Sequence, residues 1–160
     1  MLAYTWIPFF VIALDQMSKR VALYWNDNNI FLTYAFLKNH VVWNKGISFG
    51  LFSSSYYNII IYCAIVLSIC LIILAWLRTK NKFDAIAWGL IVGGGLSNLW
   101  DRWFFGAVLD FICISFNTWT FPIFNFADIS ITIGAIILAR GLVFKQKKKK
   151  VSSNENSKIK

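Results

Sequence analysis

The chain has 160 residues, is 58% hydrophobic and 18% aromatic, carries 14% charged residues and has a mean hydropathy of +0.60. A soluble domain carries about 25% charge, so a chain this apolar cannot cover a water-facing surface and reads as a single polytopic membrane unit. Its three cysteines exclude a disulfide scaffold, and its net charge of +9 rests largely on basic residues near the C-terminus, which suits anionic lipid better than a nucleic-acid partner.

A helix needs about 20 apolar residues to cross ~30 Å of hydrocarbon, and four stretches can be fitted to that length. The first, residues 2–24, is interrupted in its second half by Asp15, Gln16, Ser18, Lys19 and Arg20. It lacks the basic start of a cleaved signal peptide and is expected to be a retained span. Residues 26–52 follow, opening on the turn-like Asn26-Asp27-Asn28-Asn29 and closing on Ile47, Phe49 and Leu51 alternating with Ser48 and Gly50, a strand pattern. The second span, 57–77, is the cleanest. The third, 83–104, contains Gly93, Gly94 and Gly95, small residues that let helices approach closely. Residues 108–116 are again strand-like, and the fourth span is placed at 122–144 with Pro122 at its start, where a helix tolerates proline.

Basic residues decide the orientation. Arg78, Lys80 and Lys82 join the second span to the third, and a further eight run from Arg140 to Lys160, so both termini are expected in the cytoplasm. The strand-like segments then form a small sheet on the outer, periplasmic face, with Trp43 and Trp119 at the interface. On this reading residues 1–146 are one membrane domain and 147–160 a basic, disordered cytoplasmic tail.

Ionisable residues inside a span are costly, so each is a candidate for function. The third span reads Asn98-Leu99-Trp100-Asp101-Arg102 near its outer end, and the fourth reads Asn125-Phe126-Ala127-Asp128 near its start. Both contain N-x-x-D, and residues three apart share a helix face, so each Asn is expected beside its own Asp. With helix ends near Phe104 and Pro122, the two aspartates lie ~5 Å and ~9 Å inside their helices, at one depth within boundary error. Two carboxylates brought together in a low dielectric share a proton and titrate as a pair. That is the aspartic-protease arrangement, in which one carboxylate deprotonates a water and the other protonates or polarises the scissile carbonyl.

The competing readings are polar contacts that merely join neighbouring helices, and a proton relay in a small transporter. Asp15 and Lys19, four apart, can pair with each other, although Lys19, Arg20 and Arg102 are also placed to snorkel to the interface. Gly46-Ile47-Ser48-Phe49-Gly50 matches the G-x-S-x-G elbow of serine hydrolases, but that elbow requires its histidine after the serine, and the lone histidine, His40, precedes it. Serine-type hydrolysis is therefore the weaker enzymatic alternative. One histidine with Cys63, Cys70 and Cys113 does not make a metal site.

These blocks together resemble lipoprotein signal peptidase, or signal peptidase II, over about Asp15 to Asp128. Asp15-Gln16-Met17-Ser18-Lys19 is similar to the family's D-Q-x-S-K, and Asn44-Lys45-Gly46-Ile47-Ser48-Phe49-Gly50 to its N-x-G-x-A-F-G, with Ser48 where alanine is usual. Gly94 to Arg102 resembles the glycine-rich block that ends G-N-x-x-D-R, with Ser97 replacing a glycine. Val108-Leu109-Asp110-Phe111 and Phe124 to Asp128 resemble the last two blocks, with Phe126 where a smaller aliphatic residue is common. The resemblance implies a four-helix bacterial inner-membrane aspartic endopeptidase whose catalytic residues are Asp101 and Asp128, acting through water with no cofactor or metal. It also implies roles around the substrate and inhibitor site for Asp15, Lys19, Asn44, Gly46, Asn98, Arg102, Asn125 and Ala127. The implied substrate is a prolipoprotein carrying diacylglycerol on a cysteine, cut just before that cysteine. The implied inhibitor type is globomycin, and the implied partners are this substrate and membrane lipids; the chain is expected to work as a monomer.

Overall fold

The structure is a computed structural model and describes residues 4–28, 33–34, 37–45, 55–116 and 119–158. Four helices dominate: α1 (Trp6–Asp27), α2 (Ser55–Arg78), α3 (Lys82–Phe105) and α4 (Phe126–Lys158). Between them lie β1 (Thr33–Tyr34), β2 (Leu37–Asn44), β3 (Val108–Phe116) and β4 (Trp119–Thr120), which form one antiparallel sheet in the order β1-β2-β3-β4. The helices fall on the four stretches expected from hydropathy, and β3 coincides with the strand-like segment 108–116. Among the described residues one stretch, 126–143, is long and apolar enough to cross a membrane by length and composition, and Ile65–Arg78 is a shorter apolar helix.

Three boundaries differ from the sequence reading. The first helix continues to Asp27, and Asn28 closes it by donating from Nδ2 to the Tyr24 carbonyl at 2.7 Å, so the asparagine-rich turn begins later. Pro122 does not open α4. Residues before Phe126 remain extended because Phe124 bridges to Ile112 of β3, and the helix can begin only after this pairing ends. At its other end α4 runs to Lys158, so the segment 147–158, expected as a disordered tail, is helical. Lys147 to Lys150 are good helix formers that extend α4, and the Ser- and Asn-rich turns beyond them continue it. The strand expected at 47–51 lies outside the described residues. Among the described residues the sheet uses β2, whose pairing with β3 shifts register between Asn39 and Val42, and this break hides its alternation in the sequence.

α3 is the axis of the bundle, and its glycine triplet shows why. Successive helical residues point about 100° apart, so three in a row address three neighbours. A Cβ on Gly93 would lie 2.8 Å from Val11 of α1, one on Gly94 would lie 2.5 Å from the Ala127 carbonyl oxygen of α4, and one on Gly95 would lie 3.6 Å from Ile69 of α2. Small residues at this level bring α1 and α4 into backbone contact with α3. Gly106 ends α3 in the left-handed conformation at φ 70°, with its N–H bonded to the Arg102 carbonyl at 3.0 Å, and turns the chain directly into β3.

The distribution of polarity is the inverse of a water-soluble bundle. Phe9 is 73% exposed and Trp103 78%, whereas Asp15 is 0% and Asp101 1% exposed. Apolar rings and leucines face outward, and the carboxylates face one another inside.

Candidate active site

Four of the seven acidic residues in the chain meet at the end of the bundle beside the sheet: Asp15 from α1, Asp101 from α3, Asp110 from β3 and Asp128 from α4. Burying so much negative charge requires many donors, and each carboxylate has its own set.

Asp15 joins three helices. Its Oδ1 accepts the Ala127 N–H at 2.9 Å, and its Oδ2 accepts the Ser97 hydroxyl at 2.7 Å and contacts the Lys19 ammonium at 2.6 Å. An Asp from α1 thus satisfies an otherwise orphaned N–H in the first turn of α4, where the helix dipole also favours a negative charge.

Lys19 does not reach outward to the interface. It is 3% exposed and lies between Asp15 and Asp101, 2.7 Å from Asp101 Oδ2, with a further bond to Asn98 Oδ1 at 3.3 Å. The reason is electrostatic: two buried carboxylates offer more than a headgroup would. Arg102 remains half-buried and donates to the Asn98 carbonyl at 3.4 Å.

Asp101 lies about 6 Å inside the end of α3 and Asp128 about 3 Å inside the start of α4, at 1.5 Å per residue. The two helices run in opposite directions, so both aspartates sit at the same end of the bundle. Asp101 accepts from Gln16 Nε2 at 2.7 Å and from the Leu109 N–H at 3.2 Å. Asp128 accepts from Asn98 Nδ2 at 2.8 Å and from the Asn125 N–H at 3.3 Å.

The expected pairing of each Asn with its own Asp therefore holds for one motif and not for the other. Asn125 and Asp128 form a reciprocal capping box, with the Asp128 N–H donating back to Asn125 Oδ1 at 3.0 Å. Asn98 instead reaches across to Asp128, because Asp101 is already met by Gln16 and Lys19 of α1. Lys19 and Asn98 consequently form a polar bridge from Asp101 to Asp128. Accessibility is uneven: Asp101 is sealed, whereas Asp128 is half-buried and open on one side.

Asn125 links the helices to the sheet. It is fully buried, and its Nδ2 donates to Asn98 Oδ1 at 3.2 Å and to Asp110 Oδ1 at 2.7 Å. Asn44, at the end of β2, donates to the other Asp110 oxygen at 3.0 Å. Burial raises the Asp110 carboxyl from 3.8 to about 6, and the Asp128 charge adds to the rise, while the hydrogen bonds from Asn44 and Asn125 work against it.

Of the residues singled out in the sequence, Asp15, Lys19, Asn44, Asn98, Arg102, Asn125, Ala127 and both aspartates belong to this connected network. Gly46 and Ser48 lie outside the described residues. Three further residues take part, for which the sequence assigns no site role: Gln16, Ser97 and Asp110. Gln16 carried a signal, as an amide inside an apolar span. Ser97 looked like a small packing residue, yet its buried hydroxyl donates to Asp15 and accepts from Gln16 at 3.2 Å. Asp110 was the acid of a strand-like block, and only the fold shows that it faces Asn125. Phe126, the larger residue in its block, packs near Phe111 with ring centroids 6.0 Å apart.

Comparison with known proteins identifies the family. The family model for signal peptidase (SPase) II matches residues 7–144. The lipoprotein signal peptidase of Anaplasma marginale (strain Florida) is 38% identical over 128 residues, covering 79% of this chain and 75% of the relative. That of Pseudomonas aeruginosa (strain UCBPP-PA14) is 35% identical over 156 residues, covering 92% and 90%. A bacterial membrane enzyme solved by the in meso method at 2.3 Å resolution superposes with a TM-score of 0.73 at 28% identity, covering 93% of this chain and 92% of that one. The chain belongs to the signal peptidase II family of membrane proteases.

Proposed function

We propose that this protein is an aspartic endopeptidase of the bacterial inner membrane that removes the signal peptide from diacylglyceryl-modified prolipoproteins, cutting just before the lipidated cysteine. The observation that carries the reading is the meeting of Asp101 and Asp128 from antiparallel helices at one end of the bundle, bridged through Lys19 and Asn98. One carboxylate takes a proton from a water as it attacks the scissile carbonyl. The other donates a hydrogen bond to the developing oxyanion and then a proton to the leaving amine. Gln16, Lys19, Asn98, Asn125 and the Leu109 N–H fix the orientation of the two carboxylates.

On this reading the four helices cross the membrane with both termini in the cytoplasm, and the sheet lies on the outer face. The outward-facing aromatic and leucine side chains and the inward-facing charges support a bundle embedded in lipid, and the basic residues at 78–82 and from Arg140 onward support the orientation. A diacylglyceryl-cysteine holds its peptide bond near the outer headgroups, the depth of a site close to the helix ends. A proton relay of a transporter would more commonly lie near the midplane.

The test is mass analysis of the products when the purified protein is given a prolipoprotein with and without its diacylglyceryl group. The expected outcome is a single cut immediately before the cysteine, dependent on the lipid. Cleavage elsewhere, equal cleavage of the unlipidated form, or no cleavage by a well-folded protein would overturn the assignment.

A further inference from the structure

The end of the bundle opposite the aspartates contains a cavity of about 510 Å³ at the turn from α2 to α3. Arg78, Lys80 and Lys82 line it together with Tyr4, Leu77 and Ala85. Among the described residues none of the three cations is paired with a carboxylate. The nearby acid, Asp84, lines a different cavity with Arg140. Lys82 is exposed and lies 5.3 Å from the Phe83 ring centroid.

The cavity also continues into an apolar track. Leu67, Leu71, Leu74 and Leu77 recur at helical spacing along α2, are all exposed, and lead to the cavity wall at Leu77. Ten residues of helix span about 15 Å, half the ~30 Å hydrocarbon core and the reach of one leaflet's acyl chain.

We infer that this end of the bundle binds an anionic phospholipid, with its phosphate among Arg78, Lys80 and Lys82 and an acyl chain along the leucine track of α2. Three cations with no carboxylate partner among the described residues favour a headgroup of net negative charge over a zwitterionic one. The track distinguishes a lipid from free phosphate, which would engage the cations alone.

The experiment is thermal unfolding of the full-length protein in detergent with added dioleoylphosphatidylglycerol, dioleoylphosphatidylcholine or inorganic phosphate, repeated on Lys80→Gln and on R78Q/K80Q/K82Q. Wild type should be stabilised by phosphatidylglycerol at concentrations where the other two have no effect. Each charge removed should weaken that response roughly fivefold. Equal stabilisation by phosphatidylcholine, or an undiminished response in Lys80→Gln, would overturn the proposal. Stabilisation by inorganic phosphate alone would overturn the lipid assignment in favour of a small-anion site. Because the wild-type comparison stands without the variants, poor folding of the triple variant leaves the test intact.

Discussion

Gly94→Ala and Gly95→Ala make the same chemical change at adjacent residues and should have opposite consequences. The Cβ added at position 94 would sit 2.5 Å from the Ala127 carbonyl oxygen, where ordinary contact begins at 3.4 Å. The obstacle is backbone, so no rotamer change relieves it, and α4 must move from α3 by about 0.9 Å in a close-packed interior. Overpacking of this kind costs about 1–3 kcal/mol. Because Ala127 is adjacent to Asp128, the movement displaces one carboxylate relative to the other, and a misplacement near 1 Å costs about 100-fold in rate. At position 95 the nearest atom is Ile69 Cγ1 at 3.6 Å, so Ala fits and stabilises the helix by about 0.4–1 kcal/mol. Thermal unfolding in detergent and turnover of a lipidated prolipoprotein read both effects, at about 2–4 °C per kcal/mol for a chain of this size. If both variants keep wild-type activity and stability, or both lose them equally, the inferred α3–α4 contact is wrong.

Other perturbations follow from the same network. Lys19→Met strands the Asp15 and Asp101 carboxylates in the interior and should destabilise the fold by about 3–5 kcal/mol, and a loss below about 1 kcal/mol would refute the buried pairing. Ser97→Ala removes the hydroxyl between Asp15 and Gln16 and should cost about 1–3 kcal/mol, measured by unfolding, whereas no loss would make the residue mere packing. Asp110 is raised in the folded protein from 3.8 to about 6, so the native state binds the extra proton between those values. Its contribution to stability is complete below about pH 4 and declines as pH rises through 6, by up to about 3 kcal/mol. Unfolding of wild type and Asp110→Asn at pH 4 and pH 7 should therefore show wild type losing ground relative to the variant at the higher pH, and a constant difference would contradict that.

The sequence made the helices legible because long apolar stretches announce themselves by hydropathy, and it marked Asp15, Lys19, Asp101 and Asp128 because charge inside such stretches is costly. It could not show which donor serves which acid. Helical spacing correctly joined Asn125 to Asp128 but sent Asn98 to the wrong aspartate, since the preference of Asp101 for Gln16 and Lys19 depends on how α1 packs on α3. The start of α4 was misplaced at Pro122 for a related reason. The bridge between Phe124 and Ile112 is a long-range pairing that no local pattern encodes. The role of Asp110 is not legible in its strand-like block, because it arises from the sheet register and the Phe124–Ile112 bridge, which bring Asn44 and Asn125 to its two oxygens.

The most direct test of the catalytic assignment is single-turnover cleavage of a diacylglyceryl-modified prolipoprotein by wild type, Asp101→Asn, Asp128→Asn and Ser48→Ala, each shown to be folded by its thermal transition. Both Asn variants should lose at least about 100-fold in rate, the lower bound for removing an acid–base group, while Ser48→Ala stays near wild type. A folded Asp101→Asn or Asp128→Asn that cuts at the wild-type rate, or a loss confined to Ser48→Ala, would contradict the aspartyl dyad.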